Sequence, residues 1–145
     1  MAGTYAEGYR KGFELAGKPL YKKKTVGIHY PLGFERMMKK AFEDFEKMQF
    51  AVGEIIKCEP VPKSKKLLCS QVKIGKEVKQ IVSGIRAHYT AEEMVGKKVM
   101  VLVNLKPAKL AGVLSEGMIL CAEDAEGNLA LVTPEKNMPA GAEIC

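Results

Sequence analysis

Val78 to Asn104 reads VKQIVSGIRAHYTAEEMVGKKVMVLVN, and this stretch decides the fold. Val78–Ser83 sets Val78 and Val82 against Lys79 and Ser83 and stops at Gly84, the pattern of a half-buried strand. Thr90-Ala91-Glu92-Glu93 fits a capping box. The Thr90 hydroxyl can accept from the Glu93 amide while the Glu93 carboxylate reaches back to the Thr90 amide. A helix of one or two turns follows and closes at Gly96. Lys97–Asn104 is then a Val- and Leu-rich run, the signature of a strand buried on both faces.

Working outward, Ala51–Pro60 and Leu67–Ile74 read as strands, bounded by Pro60 and Pro62 and by Gly75. Gly117–Ala122 and Leu129–Val132 read as two more, joined by the turn Glu126-Gly127-Asn128. Three strands, a short helix and then further strands predict an all-β domain with minor α content. The specific expectation is an OB-fold, a five-stranded Greek-key barrel with a short helix between strands three and four.

A composition shift near residue 50 separates this domain from what precedes it. Eight of the ten aromatics lie in residues 1–45, and only Phe50 and Tyr89 follow. We therefore expect a helical N-terminal extension over 1–45 and the barrel over 46–145. Phe34, Met37, Met38, Ala41, Phe42, Phe45 and Met48 recur at helical spacing with charges between them, which predicts an amphipathic helix over about 34–48. Pro31 and Gly33 mark its start. Its stripe is expected to pack on the barrel or on a partner subunit, with a membrane surface as the other reading. Tyr5, Tyr9 and Phe13 could form a second short helix, and Lys22–Lys24 is a basic run that reads first as a solvated loop.

The net charge of +6 fits an anionic partner without requiring one. Residues 1–45 hold nine Lys/Arg against five Asp/Glu, so the barrel is nearly balanced and any binding face there must come from clustering. Cys58, Cys69, Cys121 and Cys145 show no C-x-x-C spacing and read as small buried apolar residues rather than metal ligands. They are too few for a secreted disulfide scaffold, so a cytoplasmic protein is expected. No apolar run approaches membrane-spanning length.

No nucleophile with its base, P-loop or dinucleotide fingerprint is present, and His88 reads as a helix-entry residue. The sequence thus argues against an enzyme and calls for no cofactor or metal. Lysines, in contrast, concentrate where an OB-fold binds its ligands. Lys63, Lys65 and Lys66 precede strand two. Lys73 and Lys79 lie on strands two and three. Lys106 and Lys109 flank Pro107 in the loop after strand four. Generic single-strand binders stack bases on aromatic rings. With two aromatics and no Trp, this domain is expected to read backbone shape and phosphate positions, which suits a folded RNA.

At this point the residues match a family. Val52-Gly53-Glu54-Ile55, Glu59-Pro60-Val61-Pro62, Lys66-Leu67-Leu68, Gln80–Ile85 and Asn104-Leu105-Lys106-Pro107-Ala108-Lys109-Leu110 occur in order, followed by Gly112-Val113, Ser115, Gly117–Leu120, Val132-Thr133-Pro134 and Pro139-Ala140-Gly141. Residues 46–145 resemble the tRNA-binding domain found at the C-terminus of many methionyl-tRNA synthetases. The same domain occurs in free-standing dimeric tRNA-binding proteins and in auxiliary proteins of multisynthetase complexes.

The resemblance implies structure-specific, largely sequence-independent tRNA binding by an OB-fold that serves an aminoacyl-tRNA synthetase in trans or as a detached domain. By matching position it implies that Asn104, Lys106, Lys109, Ser115 and Met118 contact tRNA or position the loop. Ser83 and Gly84 would support the adjoining surface, with Lys66 and Lys73 as additions. Gln49-Phe50-Ala51 stands where the family usually has Asp-Leu-Arg, and Lys65 stands where it has Asp. The eukaryotic cytokine-like members carry a further C-terminal region in place of a second subunit. With the sequence ending at Cys145, a homodimer is expected. A relative in the same fold family is an export-related chaperone, so binding of unfolded peptides is the alternative. Recruitment of a synthetase through the N-terminal helix is a third reading.

Overall fold

The computed structural model describes residues 34–145 and falls into two compact units, with the break between Lys47 and Met48. The expectations for Tyr5, Tyr9, Phe13, Lys22–Lys24, Pro31 and Gly33 lie outside the described residues. In the first unit α1 spans Phe34–Lys47. Its polar side carries an ion pair one turn apart, Lys40 to Asp44 at 2.8 Å, and Lys47 approaches the same carboxylate at 3.4 Å. The hydrogen bond from Lys40 holds the Asp44 carboxyl below its ordinary range. Such exposed pairs add little stability.

The second unit is an OB-like barrel. Its main sheet is built from β1 (Phe50–Pro60), β2 (Leu68–Ile74), β3 (Glu77–Ser83) and β4 (Lys98–Leu102). Two short strands complete it, β7 (Met118–Ile119) and β10 (Glu143–Ile144). The order β3-β2-β1-β4-β7, with β10 on β1 and every pairing antiparallel, is that of a Greek key. β5 (Ala108–Leu110) pairs with β6 (Val113–Ser115), and β8 (Cys121–Glu123) with β9 (Leu129–Leu131), as separate two-stranded ribbons.

β1 is long enough to serve both halves of the sheet because it bends. A register shift between Ile55 and Lys57 leaves Ile56 as a bulge, which curls the strand. Alternation then sends Ile55, Leu68, Val72, Ile81, Val99, Val101 and Ile119 inward. Gly53 lets this core close. A Cβ there would lie 2.4 Å from Val72 Cγ1 and 3.0 Å from Val101 Cγ2. The short helix α2 (Ala91–Met94) carries the predicted capping box, with Glu93 N donating to Thr90 Oγ1 at 3.2 Å and Thr90 N to Glu93 Oε1 at 3.0 Å. It drives Met94, fully buried, into the core.

Three sequence expectations change in detail. Gly117–Ala122 is two strands rather than one, broken at Leu120, whose amide still donates to Met100 O of β4 while its carbonyl accepts from Val132 N. Residues 104–118, read as a loop, contain the β5–β6 hairpin. The cysteines are not fully buried: Cys58, Cys69 and Cys121 are half-buried, and Cys145 is exposed. Burial pushes the first three thiols up, as befits inert packing groups.

Candidate nucleic-acid interface

The seam between β3 and the 114–117 segment organises the candidate surface. Glu116 N donates to Gln80 O at 2.7 Å, and Gln80 N returns a bond to Glu116 Oε1 at 2.9 Å. Val82 N donates to the Ser115 hydroxyl at 3.0 Å, and that hydroxyl donates onward to Gly117 O at 3.1 Å. A polar ladder crosses the outside. Gln71 Nε2 donates to Gln80 Oε1, and Gln80 Nε2 to Leu114 O. Gly117 permits this close approach, since a Cβ would lie 2.9 Å from Leu102 O.

The seam fixes where the basic loops meet. Leu68 pairs with Ser83, Val82 bonds Ser115, and Ser115 pairs with Ala108. β2, β3, β6 and β5 are thus lateral neighbours, and about 15 Å separates Leu68 from Ala108 at ordinary strand spacing. Lys66 extends from one side of this row and Lys106 and Lys109 from the other, all three exposed. Gly84 lies at the same end and is exposed. Asn104 anchors the start of the lysine segment, its Oδ1 accepting from Gln49 N at 2.9 Å. Met118 ends it, paired with Leu102 and exposed.

Two expected residues do not reach the surface. Ser115 is buried and closes the seam, where it ties the hairpin to β3. The Ser83 hydroxyl is buried on the inner side opposite Leu68 and has no hydrogen-bond partner. Lys73 stands elsewhere. It pairs with Val78 and Glu54 at the opposite end of β2, about 17 Å from Leu68 by strand rise. Lys79 is half-buried and pairs with Val72, so it leaves the outer face as well.

Sequence reasoning passed over Arg86. Its Nη1 donates to Ser64 O at 2.9 Å and its amide to Lys66 O at 3.2 Å, which ties a fourth cation to the Lys63–Lys66 loop. The signal was available: with β2 and β3 antiparallel, residues after Ser83 must fall opposite those before Leu68.

A concavity of about 300 Å³ lined by Tyr89, Lys97, Lys98, Leu131 and Lys136 lies at the Lys98 end of β4, away from Asn104. Among the described residues no group of three or more His, Cys, Asp or Glu is placed to hold a metal ion, and no helix is long and apolar enough to cross a membrane.

The family model described as "Putative tRNA binding domain" matches residues 50–143, the whole barrel. The chain belongs to this tRNA-binding domain family. The domain and part of its extension are 49% identical over 134 residues to the methionine–tRNA ligase of Methanocaldococcus jannaschii, a match covering 92% of this chain and 20% of that one. The match runs well into the residues before 46, since only one hundred follow. The enzyme of the same name from Methanococcus aeolicus is 51% identical over 111 residues, covering 77% of this chain and 16% of its own length. The chain therefore spans a fifth or less of the length of these curated relatives. Among solved structures, a MetRS-related protein from Pyrococcus horikoshii superposes with a TM-score of 0.67 at 39% identity, covering 71% of this chain and 94% of that one. The chaperone CsaA from Bacillus anthracis superposes at 0.65 with 27% identity, covering 72% and 96%. The barrel is thus a tRNA-binding domain related to methionine–tRNA ligases.

Proposed function

We propose that this protein binds folded tRNA by its shape and backbone, with little choice among sequences, and serves a methionyl-type aminoacyl-tRNA synthetase as a non-catalytic auxiliary. The observation that carries this reading is the lateral adjacency of β2, β3, β6 and β5, which sets Lys66 and Arg86 on one flank of the row and Lys106 and Lys109 on the other, in a member of this family. Asn104 and Met118 frame that surface, Ser83 and Gly84 support it, and Ser115 holds it to the barrel. Lys73 lies at the far end of β2, toward the edge of that surface. The protein acts in the cytoplasm as a homodimer, and the apolar stripe of α1 supports the dimer or the barrel. Removing residues before 46 then weakens dimerisation or lowers the melting temperature.

Each lysine that neutralises a phosphate releases a counterion, so affinity falls steeply with salt. Lys106→Ala combined with Lys109→Ala weakens binding to bulk tRNA and to individual tRNAs about equally. Unchanged binding would place the site elsewhere. The likeness to CsaA supports a second reading, capture of unfolded peptides. Tight binding of an unfolded peptide with no tRNA affinity decides for it.

A further inference from the structure

The lysine segment also carries an apolar load that phosphate binding does not use. Leu105 is 40% exposed, Leu110 and Leu114 are each 41%, and Met118 is 44%. All four lie between Asn104 and Met118. Hairpin register distributes them. Lys109 stands opposite Leu114, and Leu110 stands opposite Val113. Successive strand residues point to opposite sides, so Leu110 and Leu114 occupy opposite faces. The tip is Ala111-Gly112, and a Cβ added to Gly112 would meet nothing within 4 Å. Leu105 and Met118 sit at the root, three residues before β5 and three after β6. The result is a narrow finger, small at its end and apolar on both faces, with one lysine across from a leucine.

We infer that this finger is a wedge that packs its leucines against exposed base faces of the bound RNA, while Lys106 and Lys109 hold the phosphates alongside. This rests on the tRNA-binding reading above and names the feature of the RNA that the site selects. Charge complementarity argues for RNA as the occupant, because the same fifteen residues carry two exposed lysines and their one acid, Glu116, is engaged by Gln80 N. A continuous duplex keeps its base faces stacked away and offers riboses, phosphates and base edges. A folded RNA exposes base faces where its helices end, bend or meet a loop. Contact with those faces releases no counterions, so it contributes about equally at every salt concentration, whereas the lysine contribution fades. Aliphatic side chains here take the place that aromatic rings hold in stacking proteins.

Salt titration separates the two contributions. The whole chain, its Leu110→Ser/Leu114→Ser variant and its Lys106→Ala/Lys109→Ala variant are titrated with bulk tRNA from about 50 to 400 mM salt. The leucine variant binds about tenfold more weakly at every salt, on a line parallel to that of the parent. The lysine variant gives a line shallower by about 1.5. On a long duplex RNA the leucine variant and the parent bind alike. Unchanged tRNA affinity in the leucine variant, with the lysine variant weakened, overturns the wedge and leaves the RNA site standing. Equal loss on duplex and tRNA also overturns it, as does loss of a dimer in sedimentation, which would make this face a subunit contact. If the lysine variant too is unchanged, the RNA reading of the whole segment fails.

Discussion

The barrel contains two hairpins with two-residue turns, and they are put to opposite uses. β2–β3 runs seven residues on each side and lies wholly within the main sheet. Its turn starts with Gly75 at φ +62, and the C-terminal segment presses on it so closely that a Cβ on Gly141 would lie 2.7 Å from Gly75 N. β5–β6 runs three residues on each side, outside that sheet. Its turn, Ala111-Gly112, has φ of +49 and +81, as a type I′ turn requires, with nothing near Gly112. One hairpin is long, touches the C-terminal segment at its turn and builds the barrel. The other is open, held by side chains at its root, and free to meet a ligand. Length and membership of the main sheet, rather than turn geometry, separate the two hairpins.

The largest effect should come from the contact between Gly141 and the β2–β3 turn. Gly141→Ala forces a side chain against the Gly75 backbone at φ +100, where L residues are strained. We expect a loss of about 3 kcal/mol, read by urea denaturation. A smaller loss would mean that this contact yields as readily as the β5–β6 turn does. Ser115→Ala comes next. It leaves the buried Val82 amide without its acceptor, at a cost of about 2 kcal/mol, and it frees the hairpin root. Stability and tRNA affinity should fall together. Retained affinity would show that the finger needs no anchoring.

At the open tip, Ala111→Asn should stabilise by about 0.5–1 kcal/mol, since Ala111 is a non-glycine residue at positive φ and Asn-Gly suits a type I′ turn. Affinity should change little, because the tip itself makes no charged contact. The smallest effect concerns the β8–β9 turn. Hydrogen bonds from the Asn128 side chain and amide, and from the Glu126 amide, hold the Asp124 carboxyl below its ordinary 3.8. A lowered folded value means that the carboxylate stabilises the turn above pH 3.8 and that this contribution is lost as pH falls through the folded value. Asp124→Ala should therefore melt slightly earlier at neutral pH and no earlier than the parent in strong acid. A difference that persists in acid would remove the carboxylate from the explanation.

The same contrast explains what the sequence revealed. β1 to β4 and the capping box were legible because burial imposes alternation, and Thr90 and Glu93 stand at the required spacing. β5 was not legible, since Ala108, Lys109 and Leu110 are all exposed and nothing enforces an apolar rhythm. β10 is two residues long and gives no pattern. Candidate cations could be named from the family resemblance, but their places could not be sorted. Register, which the composition does not carry, moves Lys73 to the far end and brings Arg86 in. Counting aromatics pointed away from ring stacking. It was blind to the leucines, because a leucine in sequence looks the same whether it faces a core or water.

The seam has one further consequence. β3 would otherwise be an open sheet edge, and such edges recruit strands from neighbouring molecules. Here the amides of Gln80 and Val82 are occupied by a carboxylate and a hydroxyl. The two side chains that steady the finger also keep the barrel from polymerising through its own edge. Replacing Ser115 or Glu116 therefore opens a sheet edge as well as loosening the hairpin.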